Sequence, residues 1–348
     1  MNKTSLKIGI NLGGWISQFP AYDHQHFKTF ILEEDIKRIA DWGMDHVRLP
    51  VDYPLLEDDE QPGIYKQSGF DYIESCLEWC RKNGLRVILD LHKAPGFAFD
   101  ALDKSSLFKS PVMQGRFLGI WEAVSRRFLG RMDDSLAFEL LNEIVLPESS
   151  LWNGLVKRVL ERIRSVDPQR LIVLGGNHYN AVDELQNLEQ IADPNILYTF
   201  HFYLPLCLTH QKAPWVPPLV EYNQELEYPG QQAERLAAIV KKYPRDMHAL
   251  EKEVGIEFDK GYLHAMLQPA LDFSHSNGQP VYCGEFGVYE GAPMSTRVNW
   301  TRDFIDLLNE FRIGHAFWTY KALDFGLLDK DGRTVDQELV ELASRAMG

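Results

Sequence analysis

Short apolar runs and helix-patterned segments alternate eight times along this chain, and few folds accommodate that rhythm. The runs at 7–14, 46–51, 86–92, 136–143, 170–176, 196–203, 280–288 and 315–320 are rich in Val, Ile, Leu, Phe and Tyr. Between and after them, segments at 33–42, 70–83, 112–129, 151–166, 262–276, 296–311 and 335–347 repeat apolar residues at helical spacing, with a shorter helical stretch at 182–188. Gly84 and the pair Asp167-Pro168 supply helix stops. Runs that are continuously apolar belong to strands covered on both faces, so the sheet is expected to be parallel with helices outside it. Eight such units within 348 residues predict a closed (β/α)8 TIM barrel, a single catalytic domain over 1–348. An open doubly wound sheet would place a Gly-x-Gly-x-x-Gly turn after the first strand, whereas Asn11-Leu12-Gly13-Gly14-Trp15 stands there.

One connection breaks the rhythm. Between Leu204 and Gly261 lies a long segment with six prolines and an amphipathic piece near 231–242, read as a loop or small subdomain inserted after the sixth strand. A barrel carries its chemistry at the C-terminal ends of its strands, which is where this insertion emerges.

The formal net charge of −14, with no Lys/Arg cluster, argues against nucleic acid or an anionic membrane as partner. No apolar run approaches the roughly 18–20 residues of a membrane span. Cys76, Cys80, Cys207 and Cys283 are too sparse for a disulfide framework, which fits a reducing compartment. Cys76 and Cys80 read as small buried side chains on one helix face. The first ten residues show no signal-peptide pattern, so the expectation is a cytoplasmic protein, or a secreted one whose leader has been removed.

The strand ends are polar. Toward the C-terminal ends of the runs stand Arg48 in the second, His92 in the third, Asn142 and Glu143 in the fourth, His201 and Tyr203 in the sixth and Glu285 in the seventh, while Trp318 lies within the eighth. Taken singly, a buried histidine is usually a packed core residue and a strand tryptophan usually packing. Converging on one barrel mouth, they form a constellation. Two glutamates on opposed strands suit cleavage of a glycosidic bond with retention, which needs carboxyl groups about 5–5.5 Å apart, one protonated and one ionised. Glu139 and Asp90 share these strands. Strand parity, extended through 143, puts Glu139 on the face of Glu143 but roughly 13 Å below it, and Asp90 beneath His92, so both read as structural acids.

These residues, in this order and across nearly the whole chain, resemble glycoside hydrolase family 5, a retaining (β/α)8 family. Asn11-Leu12-Gly13-Gly14-Trp15 and Asp90-Leu91-His92-Lys93-Ala94-Pro95-Gly96 are similar to segments of its β-glucan-acting members. The resemblance implies Glu143 as acid/base, Glu285 as nucleophile, Asn142 on the sugar 2-hydroxyl, Arg48 and Tyr203 holding Glu285 ionised, His92 and His201 positioning, and Trp318 under the sugar ring. It implies a β-linked oligo- or polysaccharide as substrate, and no cofactor or metal. In the insertion, Thr209-His210-Gln211, Trp215, Tyr222 and Tyr228 can line a sugar subsite or anchor the loop; Trp215 is retained as a substrate-binding candidate. A β-mannan-directed or other β-glycoside-directed member of the same family, a metal-dependent barrel hydrolase using His92, His201 and an aspartate as ligands, and a catalytically silent sugar-binding barrel are the competing readings.

Overall fold

The computed structural model describes residues 1–19, 21–131, 134–231, 234–243 and 255–345. Eight strands close into a barrel: β1 (Ile8–Asn11), β2 (His46–Asp52), β3 (Arg86–Lys93), β4 (Leu136–Glu139), β5 (Leu171–Gly175), β6 (Ile196–Phe202), β7 (Val281–Phe286) and β8 (Gly314–Phe317). Every strand is hydrogen-bonded in parallel to its neighbours in chain order, and β8 closes on β1. The helices that cover them are α1 (Glu33–Asp41), α2 (Gln67–Lys82), α3 (Pro111–Phe128), α4 (Ser150–Arg164), α5 (Lys260–Asn277), α6 (Met294–Glu310) and α7 (Gln337–Ala343). After β5 come a short turn, Asn177–Asn180, and a 3₁₀ helix, Val182–Asn187, in place of a long helix. The expected end of the last helix at Met347, and Pro244 of the insertion, lie outside the described residues.

Local signals set the helix boundaries. Ser110 accepts the Met113 N–H ahead of Pro111, and Asp259 and Asp336 do the same for Tyr262 and Leu339. Helix α5 ends at Gly278 in the left-handed region, φ 59°.

The continuous apolar character of the strands has a simple origin. Val47, Leu49, Val87, Leu89, Phe138, Ile172, Leu174, Phe200, Phe286 and Phe317 point outward into the large core under the helices. Their alternates Ile88, Ala137, Leu171, Val173, Leu197, Tyr282 and Ala316, joined by Leu6, form a second buried cluster inside the barrel. Above that apolar plug the inward positions turn polar, and the site begins there.

Several strands are shorter at their C-terminal ends than the sequence suggests, β7 ending at Phe286 and not Val288 and β8 at Phe317 and not Tyr320. β1 ends at Asn11 and not Gly14, and β4 at Glu139 and not Glu143. Residues 140–143 leave the regular ladder, and Glu143 takes φ 43°. Parity therefore cannot be carried from Glu139 to Glu143, and the expected vertical separation between them is replaced by a turn.

Within the insertion, Leu206–Thr209, Pro217–Tyr222 and Glu234–Val240 are short helices, and Gly230–Gln231 pairs antiparallel with Glu257–Phe258. Gln211 clamps the backbone of Leu226 through both ends of its amide. Tyr228 is buried with its hydroxyl on Asp303 of α6, and Tyr222 is buried as well. These three are anchors for the loop and not sugar contacts.

Candidate active site

Arg48 is the hub. It lies opposite Ile88 in the ladder, while Asp90 and Glu139 pair in register one layer higher, so its long side chain rises to meet them. Its Nε and Nη2 donate to the two oxygens of Glu139 at 2.7 and 2.9 Å, and Nη2 also lies 3.1 Å from Asp90 Oδ2. Nη1 donates to Glu285 Oε1 at 2.6 Å and to Asn11 Oδ1 at 3.0 Å. Nη2 donates further to Asn142 Oδ1 at 2.8 Å. Three buried acids around one guanidinium leave an excess of potential negative charge, and burial pushes Asp90 up to about 7 and raises Glu139. Asp90 and Glu139 are structural acids as expected, but they share the hub with Glu285.

Because Arg48 takes the Asn142 oxygen, the amide nitrogen is the end left over. That Nδ2 is buried without a protein partner, a donor suited to a sugar hydroxyl.

Glu285 reaches the hub through a bulge. Phe200 pairs with Cys283 but His201 pairs with Glu285, so Gly284 is an extra residue on β7. A Cβ on Gly284 would sit 2.9 Å from Thr199 Oγ1 and 3.2 Å from His201 Nε2. The bulge keeps His201 and Glu285 on the inner face together. Glu285 Oε2 accepts from the Tyr203 hydroxyl at 3.0 Å, and His201 Nδ1 lies 3.6 Å from it.

Across from it, Glu143 Oε1 lies 2.9 Å from His201 Nδ1. One carboxylate oxygen each from Glu143 and Glu285 and one ring nitrogen of His201 fall within a mutual 4.8 Å. Desolvation raises both glutamates. Glu285 reaches about 7, held down by Arg48 and the Tyr203 hydroxyl; Glu143 stands well above the ordinary carboxylate range through burial and then the charge of Glu285. The pair thus loses its first proton from Glu285 and keeps the second on Glu143.

The order of ionisation sets a pH dependence. As pH falls through about 7, Glu285 becomes protonated and kcat/KM should decline, well above the range of an exposed glutamate. Tyr203→Phe removes a hydrogen bond to the ionised form, so its acid limb should move to higher pH; a limb that stays or moves down would show that Tyr203 does not hold the carboxylate.

His92 and Trp318 form a wall beside this centre. Their rings stack, centroids 5.6 Å apart and 5° from parallel, and His92 Nδ1 is 2.7 Å from Asp90 Oδ2. Burial holds His92 well below its usual pKa, and its Nε2 has no protein partner. The structure therefore gathers Arg48, Asn142, Glu143, His201, Tyr203 and Glu285 directly, with His92 and Trp318 tied in through Asp90. Trp215 stands apart, 49% exposed. Aromatic contacts lead to it from the centre: Tyr203 meets His210 and Phe325, and both meet Trp215, which also packs edge-on to Tyr289.

Sequence reasoning missed Asn11 and Asn180. Asn11 ends β1 on the inner face, a signal of the same kind as the others; its amide bonds Gly284 O at 3.0 Å and Phe317 O at 3.2 Å, bracing the bulge. Asn180 belongs to a turn beyond β5, and no strand-end pattern points to it.

A metal-centred reading fits poorly. His92 and Asp90 are engaged with each other, and the only cluster of ligating groups among the described residues, Glu143, His201 and Glu285, has a guanidinium nitrogen 2.6 Å from Glu285. A fixed cation there opposes a divalent ion. It suits a carboxylate that must stay ionised beside a protonated partner.

A parallel barrel with two facing glutamates at its C-terminal mouth, one cation-held and one proton-bearing, defines a retaining glycoside hydrolase. The family model described as Cellulase (glycosyl hydrolase family 5) matches residues 10–324, and the chain belongs to that family. Endoglucanase C of Acetivibrio thermocellus is 45% identical over 341 residues, 98% of each chain. Cellodextrinase A of Ruminococcus flavefaciens is 36% identical over 295 residues, 84% of this chain and 79% of its own. Among solved structures, a hyperthermophilic endo-β-1,4-glucanase in complex with substrate superposes with a TM-score of 0.78, covering 99% of this chain and 100% of that one at 24% identity. That likeness is one of fold. No helix among the described residues is long and apolar enough to cross a membrane.

Proposed function

We propose that this chain is an endo-acting β-glucanase for cellulose-type linkages, working by double displacement with Glu285 as nucleophile and Glu143 as acid/base. The observation that carries the chemistry is the carboxyl pair within 4.8 Å, of which Glu285 is hydrogen-bonded by Arg48 and the Tyr203 hydroxyl and Glu143 is not. Glu285 attacks the anomeric carbon while Glu143 protonates the departing glycosidic oxygen, giving a glycosyl ester on Glu285 and a carboxylate at Glu143. Water then gives its proton to Glu143 and its oxygen to the anomeric carbon, freeing Glu285. Asn142 Nδ2 donates to the 2-hydroxyl, a contact that tightens as positive charge develops on the ring. The His92–Trp318 wall receives the reacting sugar, and Trp215 is a platform for a neighbouring one. The substrate reading is supported by the names of the relatives, endoglucanase and cellodextrinase, and by the family's description.

A product profile over β-1,4- and β-1,3-linked gluco- and manno-oligosaccharides tests it. Internal cleavage of β-1,4-gluco-oligosaccharides is expected; release of single glucose units from one end, or a preference for manno-oligosaccharides, would contradict it. Trp215→Ala should raise KM for long oligosaccharides about 10-fold, equivalent to about 1.4 kcal/mol, and leave short aryl glycosides almost unaffected. An unchanged KM on long substrates would reduce Trp215 to an anchor.

A further inference from the structure

The loop carrying Glu143 leans on the turn Asn177–Asn180 at the end of β5. His178, Tyr179 and Asn180 take φ of 46°, 62° and 55°, three successive non-glycine residues in the left-handed region. That conformation is disfavoured for residues with a Cβ and persists where surrounding contacts enforce it. The contacts are with the acid/base loop. Asn177 bonds both the N–H and the C=O of Leu146, at 2.8 and 2.9 Å, and the Tyr179 N–H donates to Ile144 O at 3.1 Å.

The last residue of the turn touches the site itself. Asn180 is fully buried against Gly175, where a Cβ would stand 2.5 Å from its amide, and its Nδ2 lies 3.3 Å from His201 Nε2. His201 faces Glu143 Oε1 and Glu285 Oε2 with its other nitrogen, Nδ1. Burial keeps the ring neutral, so it carries one proton. An unprotonated Nδ1 would aim its lone pair at the ionised oxygen of Glu285, which can only accept. The proton therefore sits on Nδ1, and Nε2 requires a donor, which fixes the Asn180 amide with its NH₂ toward the ring.

We propose that Asn180 is a positioning residue for glycosidic cleavage, holding His201 as the Nδ1–H tautomer so that Glu143 receives a hydrogen bond on Oε1 and carries its transferable proton on Oε2. In the first step that proton passes from Oε2 to the leaving oxygen, and the resulting carboxylate keeps the His201 Nδ1–H bond; in the second step water's proton restores Oε2–H. With the tautomer reversed, Glu143 would spend its proton on His201 Nδ1. The inference rests on Glu143 being the acid/base.

Asn180→Asp tests it, since aspartate has the same shape but presents an acceptor to Nε2. With aryl β-cellobiosides of graded leaving-group ability, kcat/KM should fall about 10- to 100-fold for poor leaving groups, within the roughly 10²–10⁴ that general acid catalysis contributes, and stay near wild type for dinitrophenyl. Nitrogen-15 NMR of labelled histidine in the wild-type chain should show His201 Nδ1 protonated and Nε2 unprotonated. Equal loss across leaving groups, no loss, or an Nε2–H tautomer in the wild type would each overturn the proposal. Should Asn180→Asp fail to fold, the wild-type tautomer decides. Glu143→Ala run alongside separates the two claims: if it shows no leaving-group selectivity, the acid/base assignment fails, whereas selectivity there but not in Asn180→Asp refutes only the role of Asn180.

Discussion

Glu285→Ala should abolish turnover, lowering kcat by about 10⁴- to 10⁶-fold on natural and activated substrates alike. The reason lies in how much of the barrel is arranged around that carboxylate. Arg48 Nη1 and the Tyr203 hydroxyl each hold one of its oxygens, Asn11 braces the bulge that turns it inward, and Gly284 is bare so that the bulge fits beside Thr199 and His201. Alanine leaves no oxygen to form the glycosyl ester, so good and poor leaving groups suffer together. It also leaves Arg48 less compensated against Glu139 and Asp90, which should lower their proton affinity but keep the hub hydrogen-bonded. Steady-state hydrolysis of carboxymethylcellulose and of dinitrophenyl β-cellobioside measures the loss. Residual activity within about 100-fold of wild type on either would place the nucleophile elsewhere.

Glu143→Ala should fail differently. The nucleophile remains, so a dinitrophenyl glycoside, whose leaving group needs no proton, still forms the glycosyl-enzyme, and a burst of dinitrophenolate should precede slow hydrolysis. Natural glucans require the proton and should lose about 10²- to 10⁴-fold. The space vacated beside His201 admits a small anion, so azide should restore turnover of the activated substrate and yield β-glycosyl azide. A variant slowed equally on both substrates, with no azide effect, would contradict the assignment.

Much of this site is legible in the sequence for a topological reason. In a parallel barrel every strand points the same way, so polar residues at the C-terminal ends of apolar runs must meet. His201, Tyr203 and Glu285 were identifiable on that ground, and Asn142-Glu143 by the abrupt polar end of its run; Arg48 instead sits early in β2, opposite Ile88, and reaches the mouth only through its long side chain. The failures occur where the chain leaves the ladder. Glu143 is aimed by a turn with φ 43°, so strand parity from Glu139 does not extend to it: Glu139 and Asn142 bond Arg48, while Glu143 meets His201. The inward pairing of His201 with Glu285 needs an extra residue at Gly284, and side-chain alternation does not reveal a bulge. Asn180 reaches His201 through three left-handed residues whose types, His, Tyr and Asn, carry no turn signature as strong as glycine. The insertion divided similarly: Gln211 and Tyr228 bond inward and only Trp215 stays exposed, a split set by which loop residues face α6 and the Leu226 backbone.

The central claim is that Glu285 forms a covalent ester with the sugar while Glu143 manages protons. Incubation with 2,4-dinitrophenyl 2-deoxy-2-fluoro-β-cellobioside, which slows hydrolysis of the ester more than its formation, followed by peptic digestion and mass spectrometry, tests it directly. The account predicts one fluorocellobiosyl label per chain, on the peptide containing Glu285, and none on Glu285→Ala. A label on Glu143, or complete turnover with no covalent species together with an inverted first product, would contradict it.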